Sequence, residues 1–139
     1  MSEPGRFCPT LPSHPLVVAE LTLQIAGGPD APGDARTALR RAHPELSPEL
    51  MQMVVLLASE LVSNAVKHAG SNSIAVRCAV TPQCVRVEVA DQGPGFVPDP
   101  GPIDPSRVGG WGLHLVDELS SRWGVADGPG SRVWFEIDR

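Results

Sequence analysis

The chain has 139 residues, sixteen acids against eleven Lys and Arg, a formal net charge of −5, 42% apolar residues and 19% charged ones. A globule of this length is one ordinary domain that buries roughly 68% of its unfolded surface, and the composition excludes a disordered tail or a coiled coil. The acidic balance argues against nucleic acid as the main partner, because no basic patch is available to neutralise phosphates. The uncharged run Leu50–Ser59 holds ten residues, short of the ~18 needed to span a membrane. The opening MSEPGRFCPTLPSHP lacks the basic start and apolar run of a signal peptide. Three cysteines without a CxxC pair suggest a reducing compartment, so the expectation is a soluble cytoplasmic domain with no membrane partner.

Residues 1–15 carry four prolines and no periodicity, and read as a loose arm ahead of a domain over 16–139. Val17, Ala19, Leu21, Leu23 and Ile25 alternate as a half-buried strand does. The breaker at 27–33 follows, with Asp30 placed to cap a short helix that ends near His43-Pro44. Ser47-Pro48-Glu49 is a strong helix start, with an N-cap hydroxyl, a first-turn proline and an acid at the positive helix end. That helix should run to Ala69 and stop at Gly70. Ile74, Val76, Cys78 and Val80 alternate, as do Val85, Val87 and Val89, and Thr81-Pro82-Gln83 joins them into a hairpin. A three-residue turn there sets Cys78 opposite Arg86, which argues against a Cys78–Cys84 disulfide.

Residues 96–109 hold four more prolines and read as a long loop, a feature that is usually functional in a compact domain. A helix over about 111–120 and a hairpin of 123–127 with 132–138 complete the chain. The order β-α-α-β-β-loop-α-β-β predicts a two-layer α+β sandwich: a mixed, mainly antiparallel sheet with three helices on one face.

Three patterns carry chemistry. On the long helix, Glu60, Asn64 and His68 are spaced i, i+4, i+8, and Lys67 follows Asn64 by three, so all four share a face. A carboxylate and a carboxamide one turn apart suit a hard cation whose shell substrate phosphates complete; a solvated stripe is the plain alternative. Strand parity puts Asp91 on the face of Val85, Val87 and Val89, where an unpartnered carboxylate is costly. Gly93 and Gly95 follow, and they let the backbone pass close to a flat ligand or simply turn. Gly109, Gly110 and Gly112 then lead into the last helix through Leu113, leaving amide groups at its positive end for phosphate or forming a hinge. No GK[ST] follows, so this is not a Walker motif.

In this order, ExxxNAxxH, DxGxG and GGxGLxLV resemble the ATP-binding (Bergerat) domain of the GHKL superfamily, which includes gyrase B, Hsp90, histidine kinases and MutL. The resemblance runs from about Leu16 to the closing RWGV…GSRVWFEI. It is nearest to the stand-alone anti-sigma-factor serine/threonine kinases, above all the short actinobacterial ones, whose helix reads much like SELVSNAVKHA here. The resemblance implies that Asp91 accepts the adenine amino group, Asn64 holds Mg²⁺ against the ATP phosphates, and Glu60 acts as base or water-orienting group. Gly93 and Gly95 would border adenine, and Gly109, Gly110, Gly112 and Leu113 would face the phosphates. Lys67 and His68 would lie near them, and 96–109 would form the lid, short and with Arg107 as its basic residue.

The implied partners are ATP, Mg²⁺, a sigma factor, a STAS-domain antagonist and a second copy of the chain. The alternatives are a nucleotide-sensing module without useful catalysis and a histidine-kinase domain acting in trans. His43, in His-Pro-Glu-Leu, faintly matches a phosphoacceptor box, but Pro44 breaks the helix such a box needs. His14 reads as an exposed arm residue, Cys78 as core, and Asp117 and Glu118 as solvent face. Trp123 and Trp134 either cover the outer sheet or meet a partner.

Overall fold

In a computed structural model, the described residues are 17–69, 73–91, 110–125 and 131–139. The elements run β1 (Ala19–Ile25), α1 (Ala31–Ala42), α2 (Pro48–Ala69), β2 (Ile74–Val80), β3 (Cys84–Asp91), α3 (Gly110–Leu119), β4 (Arg122–Val125) and β5 (Ser131–Asp138). The sheet order is β1-β2-β3-β5-β4, and each of these pairings is antiparallel. The expected α+β sandwich is the observed one. Residues 126–130, which hold the expected final turn around Asp127-Gly128-Pro129-Gly130, lie outside the described residues, as do the arm and the 96–109 loop.

Local chemistry sets the helix ends. Ser47 caps α2 as expected: the Leu50 amide donates to Ser47 Oγ at 3.2 Å and the Met51 amide to the Ser47 carbonyl at 2.8 Å. Asp30 occupies the cap position of α1, but its side chain makes no capping bond. Its backbone is already helical (φ −87°, ψ −8°), so the carboxylate does not reach back over the first turn as an extended cap residue's does. Pro32 and Asp34 in the first turn supply the remaining start signals.

The β2–β3 register differs from expectation by one residue. Val80 pairs with Val85, and Cys78 faces Val87 instead of Arg86. Thr81 explains the shift. Its amide donates to the Cys84 carbonyl at 2.9 Å, and its hydroxyl oxygen accepts from the amides of Gln83 and Cys84 at 3.2 and 3.0 Å. The turn therefore spans four residues. This register keeps apolar side chains opposite apolar ones across the buried face, which a one-residue slip would not.

Cys78 is buried and free. Burial first, and the nearby Glu45 charge second, push its thiol up to about 12. Cys84 is disulfide-bonded, so the expectation of reduced thiols does not hold for it.

The core lies between the sheet and the helices. Leu39, Val54, Leu57, Val62, Val76, Val87 and Phe135 are fully buried there. By length and composition α2 is apolar enough to cross a membrane, contrary to the reading of Leu50–Ser59, but 56% of the Pro48–Lys67 window is buried inside this domain. That is the pattern of a core helix.

The opposite sheet face carries charge. Glu136, fully buried, accepts from Arg86 and Arg122 at 2.8 Å each. Arg86 stacks 4.4 Å from the Trp134 ring centre. Trp134 in turn lies over Gly124, where an added Cβ would fall 2.9 Å from its ring. Trp134 thus covers the outer sheet. Trp123 packs against the core and donates its indole N–H to Asp117 at 2.9 Å, which gives Asp117 a partner beyond solvent.

Candidate functional site

The described parts of the three motifs lie on α2, at the end of β3 and at the start of α3. Asp91 is the last residue of β3, and its strand partner on β2 is Ile74. Four residues, 70–73, link Ile74 to the end of α2, a reach of at most ~17 Å. Asp91 therefore lies at the end of the sheet that the C-terminus of α2 leads into, and Asn64 stands five residues before that terminus. The orientation of α3 follows from its other end. Leu119, at its C-terminus, shares a cleft with Leu50 and Met53 near the start of α2. A ten-residue helix is ~15 Å long, and eleven residues of α2 from Met53 to Asn64 span ~16 Å. α3 is thus long enough to reach from that cleft to the level of Asn64.

Burial grades the four residues of the α2 face. Asn64 is 8% exposed, Glu60 is half-buried and Lys67 is exposed; the side chain of His68 lies outside the described residues. The solvated-stripe alternative therefore fits Lys67 and fails for Asn64. Asn64 projects an oxygen donor from the interior, one turn from a carboxylate, and this donor set suits a hard cation already carrying phosphate. Among the described residues no group of three or more His, Cys, Asp or Glu side chains forms a metal cage.

Asp91 is 6% exposed, on the face of Val85, Val87 and Val89, as strand parity predicts. Leu113 is buried at 6% on the first turns of α3. The first-turn amides of α3, which have no partner within the helix, make its N-terminus a positive helix end. Gly93, Gly95 and Gly109 lie outside the described residues.

His43 is not a solvent-facing acceptor. It sits at the C-cap of α1, 1% exposed, with Nδ1 3.4 Å from Glu45 Oε2 and neither ring nitrogen hydrogen-bonded. Sequence reasoning also missed a concavity at the far end of α2. Its walls come from α2, α3 and β5, which are distant in sequence, so no local pattern announces it.

The family described as histidine kinase-like ATPase domain matches residues 29–137. No curated protein matches the chain. Among solved structures, the RsbU and RsbW domains of Rv1364c from Mycobacterium tuberculosis superpose with a TM-score of 0.65 at 23% identity, over 85% of this chain and 31% of that one. The histidine kinase domain of the Erythrobacter litoralis EL346 blue-light activated histidine kinase gives 0.51 at 23% identity, over 77% of this chain and 58% of that one. The chain thus spans about a third and somewhat over half of these two proteins. Both likenesses concern the fold.

Proposed function

Since the chain belongs to the histidine kinase-like ATPase domain family, we propose that it is an ATP-binding anti-sigma factor that phosphorylates a Ser or Thr of a STAS-type antagonist. Buried Asp91 at the end of β3 and buried Asn64 on α2, together with the positive N-terminus of α3, support the nucleotide part. The protein-kinase part rests on Glu60 and on the resemblance of SELVSNAVKHA to the anti-sigma kinases, and the RsbW-containing neighbour is consistent with it.

In this reading Asp91 accepts a hydrogen bond from the adenine amino group. The α3 amides hold phosphate oxygens. Asn64 would hold Mg²⁺, whose charge would offset that developing on the transferred phosphoryl group. Glu60, half-buried one turn earlier, accepts the proton of the attacking hydroxyl. Positioning and charge suffice for this transfer, and no covalent nucleophile is needed.

The test is transfer of labelled γ-phosphate from ATP to a purified STAS-domain protein, with Mg²⁺ titrated in parallel. Incorporation on Ser or Thr that disappears in Glu60→Gln is the expected result. If the wild type binds ATP and labels no STAS protein tried, the domain is a nucleotide sensor instead.

A further inference from the structure

At the end of α2 opposite the candidate ATP site lies a second concavity, a cleft of about 670 Å³. The start of α2, the end of α3 and the end of β5 form its walls. Leu50, Met53, Leu119 and Ile137 line it, and Glu45 and Glu49 stand on its rim. Leu119 is left 39% exposed, and Leu56, three residues beyond Met53 on α2, is 38% exposed. The apolar strip therefore continues out of the cleft along the helix. Fully seated aliphatic side chains contribute on the order of 1.5–3 kcal/mol each, so an open strip of this kind favours a partner.

The lining holds more acid than base, with Arg139 as its one cation against Glu45, Glu49 and Asp138. Asp138 is held by Arg122, and Arg139 donates to the Thr81 carbonyl at 2.9 Å. Among the described residues, Glu45 and Glu49 pair with no Lys or Arg, and the neighbour of Glu45 is the buried His43. The chain itself carries −5. An apolar floor under an acidic rim is complementary to a helix with apolar residues on one face and Lys or Arg beside them.

We propose that this cleft is a docking site for a basic amphipathic helix of a partner protein. Apolar residues at i, i+3 or i+4 and i+7 of the partner seat on Leu50, Met53 and Leu119, and its cations face Glu45 and Glu49. Fourteen residues of α2 separate Leu50 from Asn64, ~21 Å along the helix axis. Docking is therefore spatially separate from nucleotide binding and does not depend on the kinase reading.

The probe is a fluorescein-labelled sixteen-residue helical peptide with Leu at i, i+3, i+4 and i+7 and Lys or Arg elsewhere. Fluorescence anisotropy is read against the whole chain. Saturable one-site binding is expected. It should weaken at least tenfold in Leu119→Arg, whose exposed position tolerates the change. It should also weaken severalfold at low salt in Glu45→Lys/Glu49→Lys, with the difference shrinking as salt rises. The same peptide with Glu in place of Lys and Arg should not bind. Equal binding of the acidic peptide, or wild-type affinity in both variants, overturns the proposal. Sedimentation velocity supplies the other arm: a wild-type dimer that Leu119→Arg converts to monomer assigns the cleft to a second copy of the chain and also overturns it.

Discussion

At the residue scale, Asp91 and Glu60 are the two carboxylates of the proposed nucleotide site, yet they should fail differently. Asp91 is buried at a strand end, and its proposed partner is a donor that only an acceptor oxygen in place can match. Asp91→Asn presents an N–H₂ where an acceptor is required, so ATP binding should weaken by roughly 10- to 150-fold, the worth of a charge-assisted hydrogen bond of about 1.5–3 kcal/mol. Calorimetry on the folded variant checks this; wild-type affinity would reduce Asp91 to a turn residue. Glu60 is only half-buried, and its role lies chiefly in the transition state. Glu60→Gln should bind Mg-ATP like the wild type while phosphate transfer falls by roughly 10²–10⁴-fold. Loss of binding in parallel with rate would instead place Glu60 on the ground-state complex.

Cys78 makes a separate residue-scale case. Its thiol is pushed up to about 12 by burial and, less, by Glu45, so the folded state holds this proton where the unfolded chain, near 9, releases it. Folded stability from this group is therefore intact below pH 9 and declines from there towards pH 12, at up to about 1.4 kcal/mol per pH unit. Urea titrations at pH 8 and pH 10 on the wild type and Cys78→Ala isolate the effect: the wild type should lose more than the variant. An equal loss would show that the buried thiol is not the group responsible.

At the scale of elements, periodicity and stop signals were enough to place every helix and strand that the structure describes. The bounds of α2 were legible to the residue because Ser47, Pro48 and Ala69-Gly70 are unambiguous local chemistry. Asp30 shows the limit of such signals: a suitable side chain in a helical backbone makes no capping bond. The register of β2 and β3 shows another. Turn length depends on which amides the Thr81 hydroxyl oxygen accepts from, and a three-residue reading of Thr-Pro-Gln omits Cys84. The face of Asp91 survived that error because side-chain parity belongs to one strand, while register belongs to two. Buried Glu136 was not legible at all. In the sequence it is an acid in an alternating strand, and only the neighbouring β3 and β4 bring Arg86 and Arg122 to it. Glu136→Ala should destabilise the fold by about 3–5 kcal/mol, as removal of one member of a buried ionic cluster does. Chemical denaturation reads this out, and a cost below about 1 kcal/mol, the level of an exposed pair, would show that the cluster behaves as a surface feature.

At the scale of the whole molecule, α2 sets two working ends on one rigid rod. Asn64 lies near one end and the Leu50–Met53 cleft near the other, with the fully buried side chains of Val54, Leu57 and Val62 between them. Neither end is visible as a unit in the sequence, because each is completed by elements that return to α2 from elsewhere. Ligand linkage to folding separates the two ends in a single measurement. A ligand that binds only the native state stabilises it by RT ln(1 + [L]/Kd), about 2.7 kcal/mol at a hundredfold excess over Kd. For a domain of this size that amounts to a rise in Tm of roughly 10 °C. Wild type, Glu60→Gln and Leu119→Arg should all show this rise with Mg-ATP, since none of these changes removes a ground-state contact to nucleotide. Asp91→Asn, at the same ATP concentration, should keep its own apo Tm yet gain only a few degrees. Asn64→Ala should lose the part of the rise that depends on Mg²⁺, measured as the difference between ATP with Mg²⁺ and ATP with a chelator. A Leu119→Arg protein whose rise is abolished would mean that the two ends are energetically coupled through α2 and not independent. A wild type with no rise at millimolar Mg-ATP would remove the nucleotide reading itself, leaving the fold and the acidic cleft to be explained by partner binding alone.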